Sequence, residues 1–321
     1  MKKHKKEIYT QNAVSTVETF TLGGYEQKVL IEGKRTDLPI VIALHGGPGT
    51  PIPFCVGCRG LFPEITENYI LVCWDQYGCG INNAELNDIF TIDNFVDMTV
   101  DLVKALKNKF PQNKLFLFGM SWGSILSAKA AEAVPEHIDG VLTYGQVLQA
   151  PMLTQETLNT ILESKAPAKV KNECMAVFSK EHFDKNDCMK ISRYVRQYTE
   201  GYTNKNEPKS PIFGMVKAIM TSPDYRFKDF IAIVKNGYIK NQSLIRELAE
   251  VDLRETIAKI KVPYHIIQGD TDIVTATKMI MEFVKLCNNP NLTCEVVENA
   301  AHMPGMNGMA AIMKTLQDMV K

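Results

Sequence analysis

The segment FLFGMSWGSI, residues 116–125, places one serine between two glycines directly after an apolar run. Residues 114–118 predict a buried strand, and the alanine-rich residues 124–134 predict a helix that stops at Pro135. Glycines two residues to either side of Ser121 permit a sharp, strained turn that lifts the serine hydroxyl clear of the sheet. A glycine-rich turn that merely starts a helix is the simpler interpretation. The strand before the turn and the helix after it favour an exposed nucleophile.

Buried strands and amphipathic helices alternate along most of the chain. Continuous apolar runs, which are typical of strands buried on both faces, occur at residues 38–44 and 69–74, and further strands are predicted at residues 140–144, 262–268 and 293–297. Further helices are predicted at residues 91–106, 277–287 and 309–320. This alternation predicts an α/β fold, in which a mostly parallel central sheet carries helices on both faces.

The alternation breaks in the middle of the chain. Residues 151–252 show a helical pattern with many polar residues and no clean buried strand. We therefore predict one α/β core, formed by residues 1–150 and 253–321, into which residues 151–252 are inserted as a helical cap. Such a cap would lie over the carboxyl ends of the strands, where ligands bind in open α/β sheets.

The charge balance and the hydropathy limit the expected partners. The 36 basic and 36 acidic residues give a formal net charge of zero, so no overall field attracts nucleic acid or an acidic membrane surface. No apolar run has the length of a membrane-spanning helix. Residues 1–6 are basic, but no apolar stretch follows them, so we expect a solvated tail rather than an export signal. These observations predict a cytoplasmic protein that acts on a small molecule or a short peptide.

Eight cysteines are present, and in a chain of this size without an export signal they are expected to be reduced thiols. Cys55 and Cys58 form a single CxxC motif. A metal site would need two more ligands at suitable spacing, and the sequence has no second CxxC and no HxxxH. A redox role is the alternative to incidental loop cysteines, which the isolated motif favours. We therefore predict no metal site.

A serine hydroxyl needs a base that takes its proton, and that base needs an acid that orients it. In folds of this kind the order along the chain is serine, acid, histidine. His302 is the one histidine beyond residue 265 and follows the last predicted strand, which makes it the candidate base. Asp270 and Asp272 both follow the preceding strand. The sequence favours Asp272 as the acid because it lies further out in the loop, whereas an aspartate at 270 is typical of a turn.

Two backbone N–H groups are expected to stabilise the oxyanion of the reaction. One is that of Trp122, the residue after the nucleophile, and the other comes from the loop after the first buried strand. That loop reads HGGPG, residues 45–49, and its glycines allow the backbone to approach a substrate oxygen closely. We assign the second donor to Gly47, with Gly46 as the alternative. His45 is expected to brace the loop rather than to transfer a proton.

These motifs together resemble the signature of the proline iminopeptidase family of α/β-hydrolases. The resemblance rests on HGGPG at 45–49, WDQ at 74–76, GMSWG at 119–123, GDTD at 269–272 and AH at 301–302, and it covers residues 40–145 and 260–305. It implies an α/β-hydrolase fold with a helical cap and a serine hydrolase that uses no metal and no organic cofactor. It also implies that Asp272 is the acid.

The chain departs from the pattern of that family at two places. The family usually continues WDQ with arginine, and this chain has Tyr77 instead. The family's peptidases bind the free amine of the substrate through cap glutamates in an aromatic-rich stretch, which is not recognisable here. Glu247, Glu250 and Glu255 lie near the expected region but are interpreted as solvated helix residues.

The sequence leaves three functional hypotheses. The first is an aminopeptidase that releases N-terminal residues of short peptides or small amides through an acyl-enzyme on Ser121. The second is a carboxylesterase with the same machinery. The third is a binding module that kept the fold without activity, against which the intact set of Ser121, Asp272 and His302 argues. Chemistry that needs a carboxylate nucleophile is disfavoured by serine at position 121.

Overall fold

An eight-stranded sheet lies at the centre of the computed structural model, which describes residues 11–87, 89–206, 212–235, 238 and 241–320. The strands are β1 Val14–Leu22, β2 Tyr25–Gly33, β3 Ile40–Leu44, β4 Ile70–Trp74, β5 Leu115–Met120, β6 Gly140–Tyr144, β7 Tyr264–Gly269 and β8 Leu292–Val297. Their order across the sheet is β1-β2-β4-β3-β5-β6-β7-β8. The pairs from β4 to β8 are parallel, while β1 and β2 pair antiparallel at one edge. The predicted α/β fold with a mostly parallel sheet is confirmed.

Helices occupy the connections between these strands. They are α1 Pro63–Thr66, α2 Ile92–Lys109, α3 Trp122–Ala133, α4 Gln155–Glu163, α5 Ala168–Phe178, α6 Lys185–Tyr198, α7 Ile212–Met220, α8 Phe227–Lys235, α9 Gln242–Glu250, α10 Arg254–Lys259, α11 Thr277–Leu286 and α12 Met306–Asp318. Helix α2 begins with a capping box, in which the Thr91 hydroxyl and the Asn94 amide oxygen each accept a hydrogen bond from the other residue's backbone N–H.

The two faces of the sheet build two apolar cores, because side chains alternate along each buried strand. On β5, Leu117 belongs to the core shared with Leu126 of α3, whereas its neighbour Phe118 belongs to the core shared with Ile312 of α12. Every residue of β5 is buried. This double burial explains why the strand reads as a continuous apolar run, and it fixes the carboxyl end of β5, where Ser121 follows.

The antiparallel hairpin of β1 and β2 was not predicted from the sequence. Gly23 and Gly24 form its two-residue turn, and both have positive φ angles, of 58° and 82°. A Gly-Gly pair between two strand-like runs is a recognised hairpin signal. The prediction followed apolar runs that are buried on both faces. An edge strand such as β1, which is half-buried along most of its length, has no such run.

Helices α4 to α9 lie between β6 and β7, in the segment predicted to form the cap. The chain enters and leaves this segment at one place, since Gln149 pairs with Asp252 in an isolated bridge and the Leu253 N–H donates to the Leu148 carbonyl. Part of the segment has its own apolar core, which also includes Ile273 from the loop after β7. The division into a core and a cap stays an interpretation of this arrangement.

Candidate active site

Ser121 occupies the turn between β5 and α3. Its backbone has φ 50° and ψ −118°, a conformation that residues with side chains rarely adopt. The turn requires glycine on both sides. A Cβ atom at Gly123 would collide with the Leu44 carbonyl oxygen, and one at Gly119 would collide with the Gly123 carbonyl. The strained turn that the sequence predicts is therefore present, and it directs the hydroxyl away from the sheet.

Three side chains that are distant in sequence form a continuous hydrogen-bonded chain. His302 Nε2 lies 2.9 Å from Ser121 Oγ, and His302 Nδ1 lies 2.9 Å from Asp272 Oδ2. Asp272 is fully buried and His302 is only 7% exposed. A buried carboxylate that accepts from Nδ1–H leaves Nε2 as an acceptor for the serine hydroxyl, which is the arrangement in which imidazole can act as a base.

The loop after β7 separates the roles of its two aspartates. The Asp272 carboxylate also accepts from the Val274 N–H at 2.8 Å and from the Thr275 hydroxyl at 2.7 Å, so its position is fixed. Asp270 instead accepts from the N–H groups of Asn299 and Ala300, both at 3.0 Å. Asp270 therefore ties the loop of His302 to the end of β7, and Asp272 is the aspartate bonded to the imidazole.

The loop at residues 45–49 is held by a network that the sequence analysis did not predict in full. His45 is buried, its Nδ1 donates to the Gly46 carbonyl at 2.9 Å, and its Nε2 accepts from the Gln76 N–H at 3.1 Å. Burial lowers the pKa of His45 to about 4, so the ring is neutral at pH 7. The Gln76 side chain in turn accepts from Trp122 Nε1 at 2.8 Å. His45 braces this loop, and Gln76 links it to the turn of Ser121.

The predicted oxyanion donors lie beside this turn. Trp122 is the first residue of α3, where backbone N–H groups have no partner within the helix. Gly46 packs against Ser121, since a Cβ atom at Gly46 would lie 3.3 Å from the serine Cβ. Gly47 has φ 122° and lines the same cavity as Ser121. Gly46 therefore adjoins the nucleophile and Gly47 shares its cavity, and the assignment of the donor to Gly47 stays a prediction.

A cavity of about 260 Å³ is lined by Ser121 and His302. Pockets for small molecules commonly span about 300–1,000 Å³, so this cavity suits a small substrate. Its walls are mainly apolar and come from the strand ends and from the segment between β6 and β7. Arg196 is the one permanently charged residue among the described lining residues, and that lining contains no Asp or Glu.

The three glutamates near the expected amine-binding region lie elsewhere. Glu247 is half-buried and accepts from the Ile92 N–H at 2.7 Å, so it binds the start of α2 rather than facing solvent as expected. Glu250 and Glu255 are exposed, and Glu255 pairs with Lys259. None of the three belongs to the lining of the cavity with Ser121.

The eight cysteines are thiols in the structure, and Cys55 and Cys58 are both buried. Cys58 Sγ lies 3.5 Å from Cys73 Sγ. Burial raises the pKa of Cys58 well above its ordinary value, and it also raises the pKa of Cys73. Neutral buried thiols are poor nucleophiles and poor metal ligands. Within the described part of the chain, no three His, Cys, Asp or Glu side chains are grouped so that they could hold a metal ion.

The sheet order and the Ser121–His302–Asp272 chain define the class of protein. Residues 39–308 match the family model of the alpha/beta hydrolase fold, and the chain belongs to that family. It is 23% identical over 316 residues to a protein named probable aminopeptidase YbaC from Bacillus subtilis (strain 168), which spans 96% of this chain and 97% of that protein. It is 26% identical over 268 residues to the proline iminopeptidase of Neisseria gonorrhoeae, spanning 76% and 77% of the two chains.

A solved structure supports the same fold. The crystal structure of the proline iminopeptidase of Mycobacterium smegmatis superposes with a TM-score of 0.63 and 18% identity, over 95% of this chain and 99% of that one. The resemblance to proline iminopeptidases is thus confirmed at the level of distant relatives and shared fold. No helix among the described residues is long and apolar enough to cross a membrane.

Three residues around the cavity escaped the sequence analysis. Gln76 was noted only as part of a motif, and its bond to Trp122 needs the folded strands. Thr275 donates to Asp272, and a hydroxyl three residues after the candidate acid is a signal that could have been used. The place of Arg196 in the cavity could not be recognised from the sequence, because Arg196 lies on α6 and the other residues that line the cavity belong to other elements.

Proposed function

We propose that this chain is a serine hydrolase that acts through an acyl-enzyme on Ser121, and that it is an aminopeptidase for short peptides or small amides. One observation carries the proposal. A strained serine, a histidine and a buried aspartate form an unbroken hydrogen-bonded chain, and the serine end of that chain opens into a small, mostly apolar cavity.

The proposed reaction has two halves. Ser121 Oγ attacks the carbonyl carbon while its proton passes to His302 Nε2, and Asp272 stabilises the imidazolium that forms. The N–H groups of Trp122 and Gly47 donate to the oxyanion. His302 then gives the proton to the leaving amine, and the C–N bond breaks. In the second half, water attacks the acyl-serine while its proton passes to His302 Nε2. The bond between the acyl carbon and Ser121 Oγ then breaks, His302 returns the proton to Oγ, and the carboxylic acid leaves.

The choice of an aminopeptidase rests on relatives and motifs. The relatives from Bacillus subtilis and Neisseria gonorrhoeae carry the names probable aminopeptidase and proline iminopeptidase, and the chain has the HGGPG and GMSWG motifs. The small cavity suits a short substrate. A cytoplasmic location is part of the proposal, and the eight thiols support it, since cysteines stay reduced there.

A carboxylesterase is the second candidate, and one observation favours it. A peptidase that selects a free N-terminal amine is expected to offer a carboxylate near the serine. The described lining of the cavity has no Asp or Glu. The same hydrogen-bonded chain would cleave a small ester, whose leaving alcohol needs no such recognition.

Two measurements on purified protein test these functions. Wild-type protein should react with a fluorophosphonate probe, whereas Ser121→Ala should not, and its hydrolysis should fall by about 10⁴-fold or more. Ser179→Ala, which removes an exposed hydroxyl, should label like wild type. Unchanged hydrolysis by Ser121→Ala would contradict the acyl-enzyme. An aminopeptidase should cleave aminoacyl arylamides and lose them when the amine is blocked, whereas an esterase should prefer short acyl esters.

A further inference from the structure

We propose that Arg196 binds a carboxylate of the substrate, so that the natural substrates are short peptides with a free C-terminal carboxylate, above all dipeptides. This inference rests on the proposed function and names its substrate class. It starts from the charge of the catalytic cavity. Arg196 is the single permanently charged residue among the described residues that line it together with Ser121 and His302.

The position of Arg196 relative to the imidazole is fixed through Tyr202. The Arg196 guanidinium carbon lies 3.4 Å from the centre of the Tyr202 ring, and that ring lies 5.9 Å from the ring of His302. Two backbone bonds tie the tyrosine to the histidine loop. The His302 N–H donates to the Gly201 carbonyl at 3.2 Å, and the Met303 N–H donates to the Tyr202 carbonyl at 3.0 Å. The guanidinium and the imidazole therefore lie on one rigid unit.

The hydrogen-bonding capacity of Arg196 is almost unused. Its side chain is exposed, and within the described part of the chain it forms no ion pair; its one side-chain bond joins Nε to Ser192 Oγ at 3.5 Å. Guanidinium presents five N–H donors in a planar fork that matches a carboxylate with two parallel bonds. Stacking on an aromatic ring leaves the edge of that fork open and lowers the entropy lost on binding.

A second cavity extends the same chemistry outward. It has a volume of about 670 Å³, is also mostly apolar, and has no Asp or Glu among its described lining residues. It shares five lining residues with the catalytic cavity, namely Pro151, Met152, Arg196, Ile245 and Leu248. Arg196 thus lies where the two cavities meet. Because Ser121 and Arg196 line one cavity of about 260 Å³, a peptide that places its scissile bond at Ser121 and its C-terminus at Arg196 must be short, which points to dipeptides.

The experiment compares an acid with its amide. L-alanyl-L-alanine and L-alanyl-L-alanine amide differ only in the carboxylate, and each is measured as a substrate and as a competitor of the neutral ester 4-nitrophenyl acetate. Wild-type protein should favour the acid by about ten- to a hundredfold, the range of a charged hydrogen-bonded pair. Arg196→Gln should abolish this preference mainly through KM, and Arg196→Lys should restore part of it.

Lys190→Gln is the matched control, because it removes a positive charge from the same helix without touching either cavity. It should keep the preference for the acid. Equal affinity of wild type for the acid and the amide would overturn the inference, as would a preference that survives in Arg196→Gln. In both cases, ester hydrolysis that depends on Ser121 would still agree with the proposed function. A wild-type protein without labelling or ester hydrolysis would contradict the proposed function and this inference with it.

Discussion

The loops at the strand ends and the helical segment above them contribute to one cavity but are built differently. On the loop side, Asp272 and His45 are buried and fixed by hydrogen bonds: Asp272 accepts from the Val274 N–H and the Thr275 hydroxyl besides bonding His302, and His45 is bonded at both ring nitrogens. On the helical side, Arg196 is exposed: its guanidinium stacks on Tyr202, and among the described residues its one side-chain hydrogen bond is the 3.5 Å contact with Ser192 Oγ.

We infer from this difference that the loop side fixes the reacting groups, whereas the helical side recognises the substrate. Groups that must keep one geometry through a reaction need neighbours that fix their orientation, because a small misplacement costs much of the rate. A group that only recognises a substrate can keep its donors open until the substrate arrives. We therefore expect changes on the loop side to reduce the rate on every substrate. Changes on the helical side should alter selectivity or stability and leave the chemistry intact.

The largest expected effect tests the loop side with two aspartates two residues apart. Asp272→Asn should reduce kcat for 4-nitrophenyl acetate by about 10⁴-fold, because the amide no longer stabilises the imidazolium or holds its tautomer. Asp270→Asn is the matched control. Its carboxylate accepts only backbone N–H groups, so this variant should lose stability and keep kcat within about tenfold.

Steady-state kinetics and urea unfolding separate the two outcomes. If both variants lost the same factor in kcat, the loop would act as one mechanical unit and the distinct role of Asp272 would be contradicted. If Asp272→Asn kept its activity, the hydrogen bond to His302 would be irrelevant to the rate, and the division between the two sides would fail.

The next effect concerns the brace at His45. Burial lowers its pKa from the ordinary 6.5 to about 4, so the folded state holds the ring neutral where the unfolded chain protonates it. The stability that depends on the neutral His45 ring is fully present above pH 6.5 and is lost as the pH falls towards 4. It amounts to on the order of 3 kcal/mol of unfolding free energy. Urea unfolding of wild type between pH 7 and pH 4.5 should show the loss, and His45→Gln should show a shallower one.

Wild type must be compared with His45→Gln, because another buried group changes the unfolding free energy in the opposite direction as the pH falls. Burial raises the pKa of Asp75 to about 6, so this carboxyl takes up a proton in the folded state as the pH falls and favours folding there. Asp75 is present in both proteins, and its effect cancels in their difference. A His45→Gln slope equal to that of wild type would show that His45 does not titrate as its burial requires.

Local rules allow the residues of the loop side to be placed from the sequence. A continuous apolar run demands a strand that is buried on both faces, and Gly119 and Gly123 are demanded by steric contact at the turn. Asp272 and His302 could be placed because each follows a strand whose carboxyl end must lie at the same edge of a parallel sheet. Here the spacing along the chain translates directly into position.

The same rules failed where position depends on packing between distant elements. In the hairpin, β1 is half-buried along most of its length and β2 begins with exposed polar residues, so neither strand reads as a continuous apolar run from end to end. Arg196 is one of several basic residues on an amphipathic helix. Nothing in the sequence distinguishes it from Lys190, because its place beside Tyr202 is set by how α6 packs and by the loop after it. Glu247 was expected in solvent for the same reason.

The smallest expected effect tests the helical side through Glu247. Its carboxylate accepts the Ile92 N–H at the start of α2, where negative charge is favourable, and so it ties α9 to the core. Glu247→Ala should lower the unfolding free energy by about 1 kcal/mol. Glu250→Ala, on the same helix and exposed, should change it by less than about 0.5 kcal/mol. Urea unfolding at pH 7 measures both variants.

Steady-state kinetics of Glu247→Ala and Glu250→Ala test whether the hydrogen bond between Glu247 and the start of α2 also affects substrate binding. Ile245 and Leu248 flank Glu247 on α9 and line the catalytic cavity, so loosening this helix should raise KM for a dipeptide before it affects kcat. Hydrolysis of 4-nitrophenyl acetate by Glu247→Ala should stay within about twofold of wild type, since Glu247 does not line the cavity of Ser121 and the bonds that join Ser121, His302 and Asp272 lie among the strand-end loops. A fall in kcat on that ester as large as the one in Asp272→Asn would mean that the helical segment positions the reacting groups as well.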